Sequence, residues 1–246
     1  MSDAQKDIML ELLEPTNNNG SSQVFNDEFV YWDRHIDENI RHRNGRSRYN
    51  REPDAELLRV AKEHAASYQR PTTAPIRVTL THPLYVRLSH ASALRDNEVR
   101  RDAEDYMRNL AILLHAAQDS DKVDIVLLET LHHYAAATSR LLERGLVSKV
   151  IFTEYDWGRV LDISELEPDN NFVYYCGGAY NNFCLKSSLT DIDEVAEKPI
   201  TAVMDIIINQ PCGEHKSLWP LSVEWPLKMP SYKSKTITLK ELLEKF

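Results

Sequence analysis

Between Asn171 and Ile192 the chain reads Asn-Phe-Val-Tyr-Tyr-Cys-Gly-Gly-Ala-Tyr-Asn-Asn-Phe-Cys-Leu-Lys-Ser-Ser-Leu-Thr-Asp-Ile. The apolar run Phe172–Tyr175 predicts a buried strand, and Gly177 with Gly178 predicts a tight turn that ends it. Asn181 and Asn182 are helix-capping residue types, so a helix is expected to begin near Cys184. A thiol at a helix start meets unpaired backbone N–H groups and the positive end of the dipole. Both favour the thiolate, which is the nucleophilic form. Cys176, inside the strand, reads instead as a small buried hydrophobe, and Cys212 lies in a loop after Pro211 with no base nearby in sequence.

A nucleophile needs a partner that takes its proton. Glu129 ends the apolar run Val123–Leu128, and a carboxylate held there is a candidate base. The competing reading is an ordinary exposed residue at a strand end. His132 and His133 are adjacent, so on a helix they diverge by about 100° and rarely share a metal. One of them with Glu154 or Asp156 could make a metal site; polar surface at a helix start is the preferred account, and no metal or other cofactor is expected. Neither a GxGxxG nor a GxxxxGK[ST] pattern occurs among the seven glycines, which disfavours nucleotide chemistry, and no GxSxG elbow is present.

The elements that must position these residues alternate. Strands are predicted at 76–81, 123–128, 147–153, 172–176 and 200–208, with a short sixth at 235–238. Helices are predicted from Pro53, over 99–117, over 135–144 with a stop at Gly145, and over 239–246. Repeated strand–helix units imply a three-layer α/β/α fold with a mostly parallel sheet of five or six strands. In such sheets ligands bind beyond the carboxyl ends of the strands. Those ends gather Thr81 and His82, Glu129 to His133, Thr153 to Asp156, Cys176 to Cys184, and Asp205 to Asn209.

Three segments are expected: an amphipathic helix and polar linker over 1–23, a helical and basic extension over 24–72, and the α/β domain over 73–246. The first helix is expected to dock on the chain's own core. A net charge of −9 argues against nucleic acid as the main partner. Arg41 to Arg51, interleaved with aromatics, reads as a solvated basic face in preference to an RNA-binding patch. No apolar run approaches a membrane span, and the acidic start does not resemble a signal peptide. Three cysteines without paired spacing fit a reducing, cytoplasmic setting. The segment Trp219–Tyr232 is expected either to pack on its own sheet or to cover a site or form a homo-oligomer contact.

The stretch Gly178-Ala-Tyr-Asn-Asn-Phe-Cys184-Leu-Lys-Ser-Ser-Leu-Thr-Asp191-Ile resembles the isochorismatase-like hydrolases, which include the nicotinamidases. Ser139 to Thr153, Val203 to Asp205, Gly213 to Trp219 and Lys235 to Leu243 extend the resemblance over about half the chain. It implies a thiolate that attacks a carbonyl carbon, an acid that manages protons, a lysine that supports charge, and backbone N–H groups that hold the oxyanion. Cys184 matches the motif. The acid should end the first strand, which here ends in Thr81 and His82; Glu129 is the substitute. Lys149 enters its strand instead of leaving it.

Taken together, the sequence predicts a thiol-dependent hydrolase of a small-molecule amide or related C–N bond. Cys184 is the expected nucleophile and Glu129 the base. Gly178, Tyr180, Asn181, His132 and Glu154 are the expected substrate contacts. The alternative is a non-catalytic α/β scaffold or regulator that binds a protein partner.

Overall fold

The computed structural model describes residues 2–13, 55–84, 97–154, 158–166, 172–179, 184–196, 199–208 and 236–246. Among them, six strands form one sheet: β1 (Ile76–Thr81), β2 (Val123–Thr130), β3 (Lys149–Thr153), β4 (Val173–Ala179), β5 (Thr201–Ile208) and β6 (Thr236–Ile237). Their order is β3-β2-β1-β4-β5-β6 and every pairing is parallel. Strands β1 and β2 are buried at every position, because both faces of the sheet are covered.

Side-chain alternation divides the core in two. Val123, Ile125 and Leu127 of β2 join Val78 and Leu80 of β1 on one face. There they meet α3 (Asn97–Gln118) through Tyr106, Leu110, Leu113 and Leu114. Ile8 of α1 (Asp3–Leu13), and Leu57, Ala61 and Ala65 of α2 (Ala55–Tyr68), belong to the same cluster. Val126, Leu128, Ile151 and Cys176 point the other way, onto Leu185, Leu189 and Ile192 of α6 (Cys184–Val195). The result is a three-layer α/β/α sandwich, as the strand–helix alternation implies.

Between β2 and β3 the helix is composite. It comprises α4 (Leu131–His133), a π-helical turn (Tyr134–Thr138) and α5 (Ser139–Glu143), and it stops at Gly145 with φ +68°. The chain closes with α7 (Leu239–Leu243), started by a reciprocal capping box between Thr238 and Glu241.

Two expectations need correction. Gly177 and Gly178 do not end β4; the strand runs through both to Ala179. Their lack of a side chain serves close packing. A Cβ on Gly177 would stand 2.6 Å from the Ile206 side chain, and one on Gly178, at φ +122°, would overlap the backbone of Thr81. Asp205 is not at the carboxyl edge but inside β5, within a bulge where Cys176 pairs with Ala202 and Gly178 already pairs with Ile207. Its carboxylate accepts the Leu239 N–H at 2.5 Å and so caps α7.

Candidate functional site

Strand order alone locates a crevice. The chain leaves β1 toward β2 and β3 on one side, whereas β4 lies on β1's other side. The carboxyl ends of β1 and β4 therefore flank the topological switch point, where ligands bind in open parallel sheets. Thr81 and His82 end β1; Gly178 and Ala179 end β4, and Cys184 opens the next helix.

Cys184 is the first residue of a twelve-residue helix, as its spacing predicts, and is 3% exposed. It belongs to neither apolar cluster among the described residues. One turn later, Ser188 donates its hydroxyl to the carbonyls of Cys184 and Leu185, each at 3.1 Å. The same hydroxyl is hydrogen-bonded to Thr81 Oγ1 at 2.7 Å. The end of β1 is thereby tied to the first turn of α6.

A short hairpin after β3 covers that turn. Thr153 bridges Val160 antiparallel, and the Glu154 N–H donates to the Arg159 carbonyl at 2.8 Å. The returning leg docks on α6 in two places. Arg159 Nη2 and the Val160 N–H donate to the buried Asp191 carboxylate at 2.9 and 2.7 Å. Gly158, at φ +66°, lies against Cys184: a Cβ there would stand 2.5 Å from the Cys184 carbonyl oxygen and 2.8 Å from its Cα and Cβ.

His82 is the most constrained residue at this edge. It is fully buried and, at φ +43°, is the non-glycine residue in the left-handed region among those described. That conformation costs on the order of 1 kcal/mol for an L-residue and so marks a position that its surroundings over-determine. Its N–H donates to the Leu128 carbonyl at 2.9 Å, and its Nε2 lies 2.8 Å from Thr153 Oγ1. Thr153 in turn donates to the Glu154 carbonyl at 3.2 Å. The direction of the His82–Thr153 hydrogen bond follows the ring tautomer. Burial first, and then nearby His133, hold the His82 pKa well below the usual imidazole value.

Beside it, the His133 ring meets the His82 ring edge-on, with centroids 6.0 Å apart. His133 Nδ1 lies 3.3 Å from Glu129 Oε1, which also accepts the Thr130 N–H at 2.8 Å. Glu129 is fully buried, not an exposed strand end, and its Oε2 has no hydrogen-bond partner among the described residues. Following the alternation of Ile125 and Leu127, it belongs to the α3 face, where its charge adds to burial in raising the pKa of Tyr106. The carboxyl edge thus carries Thr81, His82, Glu129, Thr153 and Gly178, with Glu129 and His133 turned to the α3 face and Cys184 heading α6 on the opposite face.

Glu154 follows β3 directly and is exposed. Tyr180, Asn181 and the His132 side chain lie outside the described residues, as do Cys212, the arginine-rich stretch and Trp219–Tyr232. Lys149 opens β3 at the opposite edge, and its Nζ donates to the Glu165 carbonyl at 2.8 Å. Cys176 is buried in the sheet, and burial pushes its thiol pKa up. No group of three His, Cys, Asp or Glu side chains among the described residues is placed to hold a metal ion, and no described helix is long and apolar enough to cross a membrane.

No protein-family model and no curated protein matches the chain. Among solved structures it is similar to an isochorismatase-like hydrolase from Alkaliphilus metalliredigens. The TM-score is 0.46 and the identity 11%, over 69% of this chain and 97% of that one.

Sequence reasoning named His82 and Thr153 only as strand ends, and Ser188 and Asp191 only within the Cys184 motif, without giving them a role, and it did not name Gly158. Only His82 carried a usable signal, a titratable side chain directly after an apolar strand.

Proposed function

We propose that the chain is a thiol-dependent hydrolase of a small amide or related C–N bond, with Cys184 as nucleophile. The supporting observation is the position of Cys184 at the head of α6, beside the switch point between β1 and β4. Thiolate attack on the carbonyl carbon would form a thioester and expel an amine; water would then release the acid and regenerate the thiol. The amides of the first helical turn would stabilise the developing oxyanion. Proton handling falls to the buried ionisable side chains of the same edge, Glu129 among them, and substrate contacts to Gly178, Tyr180, Asn181, His132 and Glu154.

The test is turnover of a panel of small primary amides and of p-nitrophenyl acetate by the wild type and by Cys184→Ala. The variant should keep its circular dichroism spectrum and lose turnover; a fully active variant would end the proposal.

One observation favours a second reading. Cys184 is 3% exposed and Gly158 is seated on it, as expected of a non-catalytic scaffold whose crevice is closed. That reading predicts that a thiol-directed probe reacts with Cys184 no faster than with free cysteine. It also predicts that deleting residues 1–50 abolishes binding of a protein partner.

A further inference from the structure

We infer that residues 158–161 form a strap over Cys184, and that Asp191 is the positioning residue that holds the strap shut and so sets access to the thiol. For its bearing on catalysis the inference rests on Cys184 being the nucleophile, and it assigns the entry step that this reading leaves open.

Three observations carry it. First, the cover is direct. Gly158 lies so close that a Cβ on it would stand 2.8 Å from the Cα and Cβ of Cys184, and Cys184 is 3% exposed. A carbonyl carbon reaches a thiol closed in this way only after the strap lifts. Second, the strap is anchored beyond its foot and clamped at one point above it. The Leu161 N–H donates to the Phe152 carbonyl at 3.0 Å and pins the foot to β3. Farther on, Leu166 of the 3-10 turn Ile163–Leu166 is buried in the same cluster as Leu185 and Leu189 of α6. Above the foot, the hydrogen bonds from the strap to α6 among the described residues all end on one carboxylate. Arg159 Nε and Nη2 donate to Asp191 Oδ1 at 3.3 and 2.9 Å, and the Val160 N–H donates to Asp191 Oδ2 at 2.7 Å. The bond from the Glu154 N–H to the Arg159 carbonyl joins the two legs of the hairpin and does not touch α6.

Third, the clamp is lopsided. The Asp191 side chain is 4% exposed and fixed within α6, whereas that of Arg159 is 54% exposed. A buried carboxylate needs its donors, which draws the strap down. The guanidinium stands in water, so its release costs little desolvation, and the nearby charges of Glu154 and Glu194 add only a weaker attraction. Gly158, at φ +66°, supplies a backbone that changes course with little steric penalty, as a hinge requires. The strap therefore opens by giving up the bonds to Asp191 while its foot and the 3-10 turn stay in place.

The test is the rate of iodoacetamide labelling at constant pH, resolved by peptide mass spectrometry so that Cys184 is read against Cys176. Cys176 is buried within the sheet and reports opening of the whole fold, whereas Cys184 reports the strap. Asp191→Asn keeps the shape of the side chain and removes its charge. It should speed labelling of Cys184 about tenfold and leave Cys176 unchanged. Arg159→Gln, a change at a half-exposed side chain, should speed Cys184 about two- to fivefold. Raising salt from about 0.05 M to about 1 M should speed labelling of wild-type Cys184 about twofold, and Arg159→Gln should abolish that response. A purely structural role for Asp191 would instead speed both cysteines together and give no salt response tied to Arg159. Unchanged labelling of Cys184 in both variants, or equal acceleration of Cys176, would overturn the inference. Should Asp191→Asn fail to fold, Arg159→Gln and the salt response decide the matter alone. Labelling requires no turnover, so the strap can fail while Cys184→Ala still loses activity, and the two failures are distinguishable.

Discussion

Gly158→Ala tests the packing that shuts this site, and the structure supplies its own control. Gly158 and Gly145 have nearly the same backbone, at φ +66° and +68°. Each would charge an alanine about 1–2 kcal/mol for the left-handed conformation. They differ in what the new methyl meets. At Gly145 nothing lies within 4 Å, whereas at Gly158 the methyl would stand 2.5 Å from the Cys184 carbonyl oxygen and 2.8 Å from its Cα and Cβ. Two of those atoms are backbone and the third is Cβ, which is fixed to it at the head of α6, so no flexible side-chain end can swing aside. Overpacking of this kind adds about 1–3 kcal/mol. Gly145→Ala should therefore cost about 1–2 kcal/mol and Gly158→Ala about 2–5 kcal/mol. Urea unfolding with unchanged m-values measures both. If the hairpin leg lifts instead of the helix yielding, part of that loss would be replaced by faster alkylation of Cys184. Equal losses at the two glycines, with unchanged alkylation of Cys184, would refute the claim that Gly158 is seated on the cysteine.

Buried neutral His82 makes stability depend on pH. Its folded pKa lies below the unfolded value of about 6.5, so the native state binds fewer protons; stability is complete above about pH 6.5 and falls by up to about 1.4 kcal/mol per unit below it. Urea midpoints on both sides of that value should show the loss, and His82→Asn should flatten it; His64, lowered mainly by burial with Glu143 opposing, adds a slope of the same sign. Asp191→Ala strips Arg159 and the Val160 N–H of their buried acceptor, and should cost about 1.5–3 kcal/mol and speed labelling of Cys184. Cys176→Ala should leave turnover and the labelling profile of Cys184 unchanged, because its thiol is buried in the sheet; a lost activity would show that the wrong cysteine had been chosen.

The frame was legible where local pattern and tertiary demand agree. Strand β1 was readable as Ile76–Thr81 because an alternating run of strand length follows Pro75, and α3 because its apolar residues recur at helical spacing. Cys184 at the helix start followed from capping chemistry. The failures share one cause: a residue's role was set by a neighbour distant in sequence. Gly177 and Gly178 look like a turn, yet Ile206 and Thr81 require them to lack side chains within a strand. Asp205 sits inside β5 because a bulge displaces it toward α7. Gly158 carries no signal in sequence, since only its contact with Cys184, in another element, gives it a purpose. Glu129 was legible as a strand-end carboxylate, but its partner His133 was hidden by helix geometry: one turn brings residue 133 back over residue 129.

The most direct measurement is to quench p-nitrophenyl acetate hydrolysis during turnover and map the acyl group by peptide mass spectrometry. The account predicts acyl on Cys184 that forms within one turnover and decays as product is released. Sustained turnover with Cys184 unmodified at every time point would contradict it.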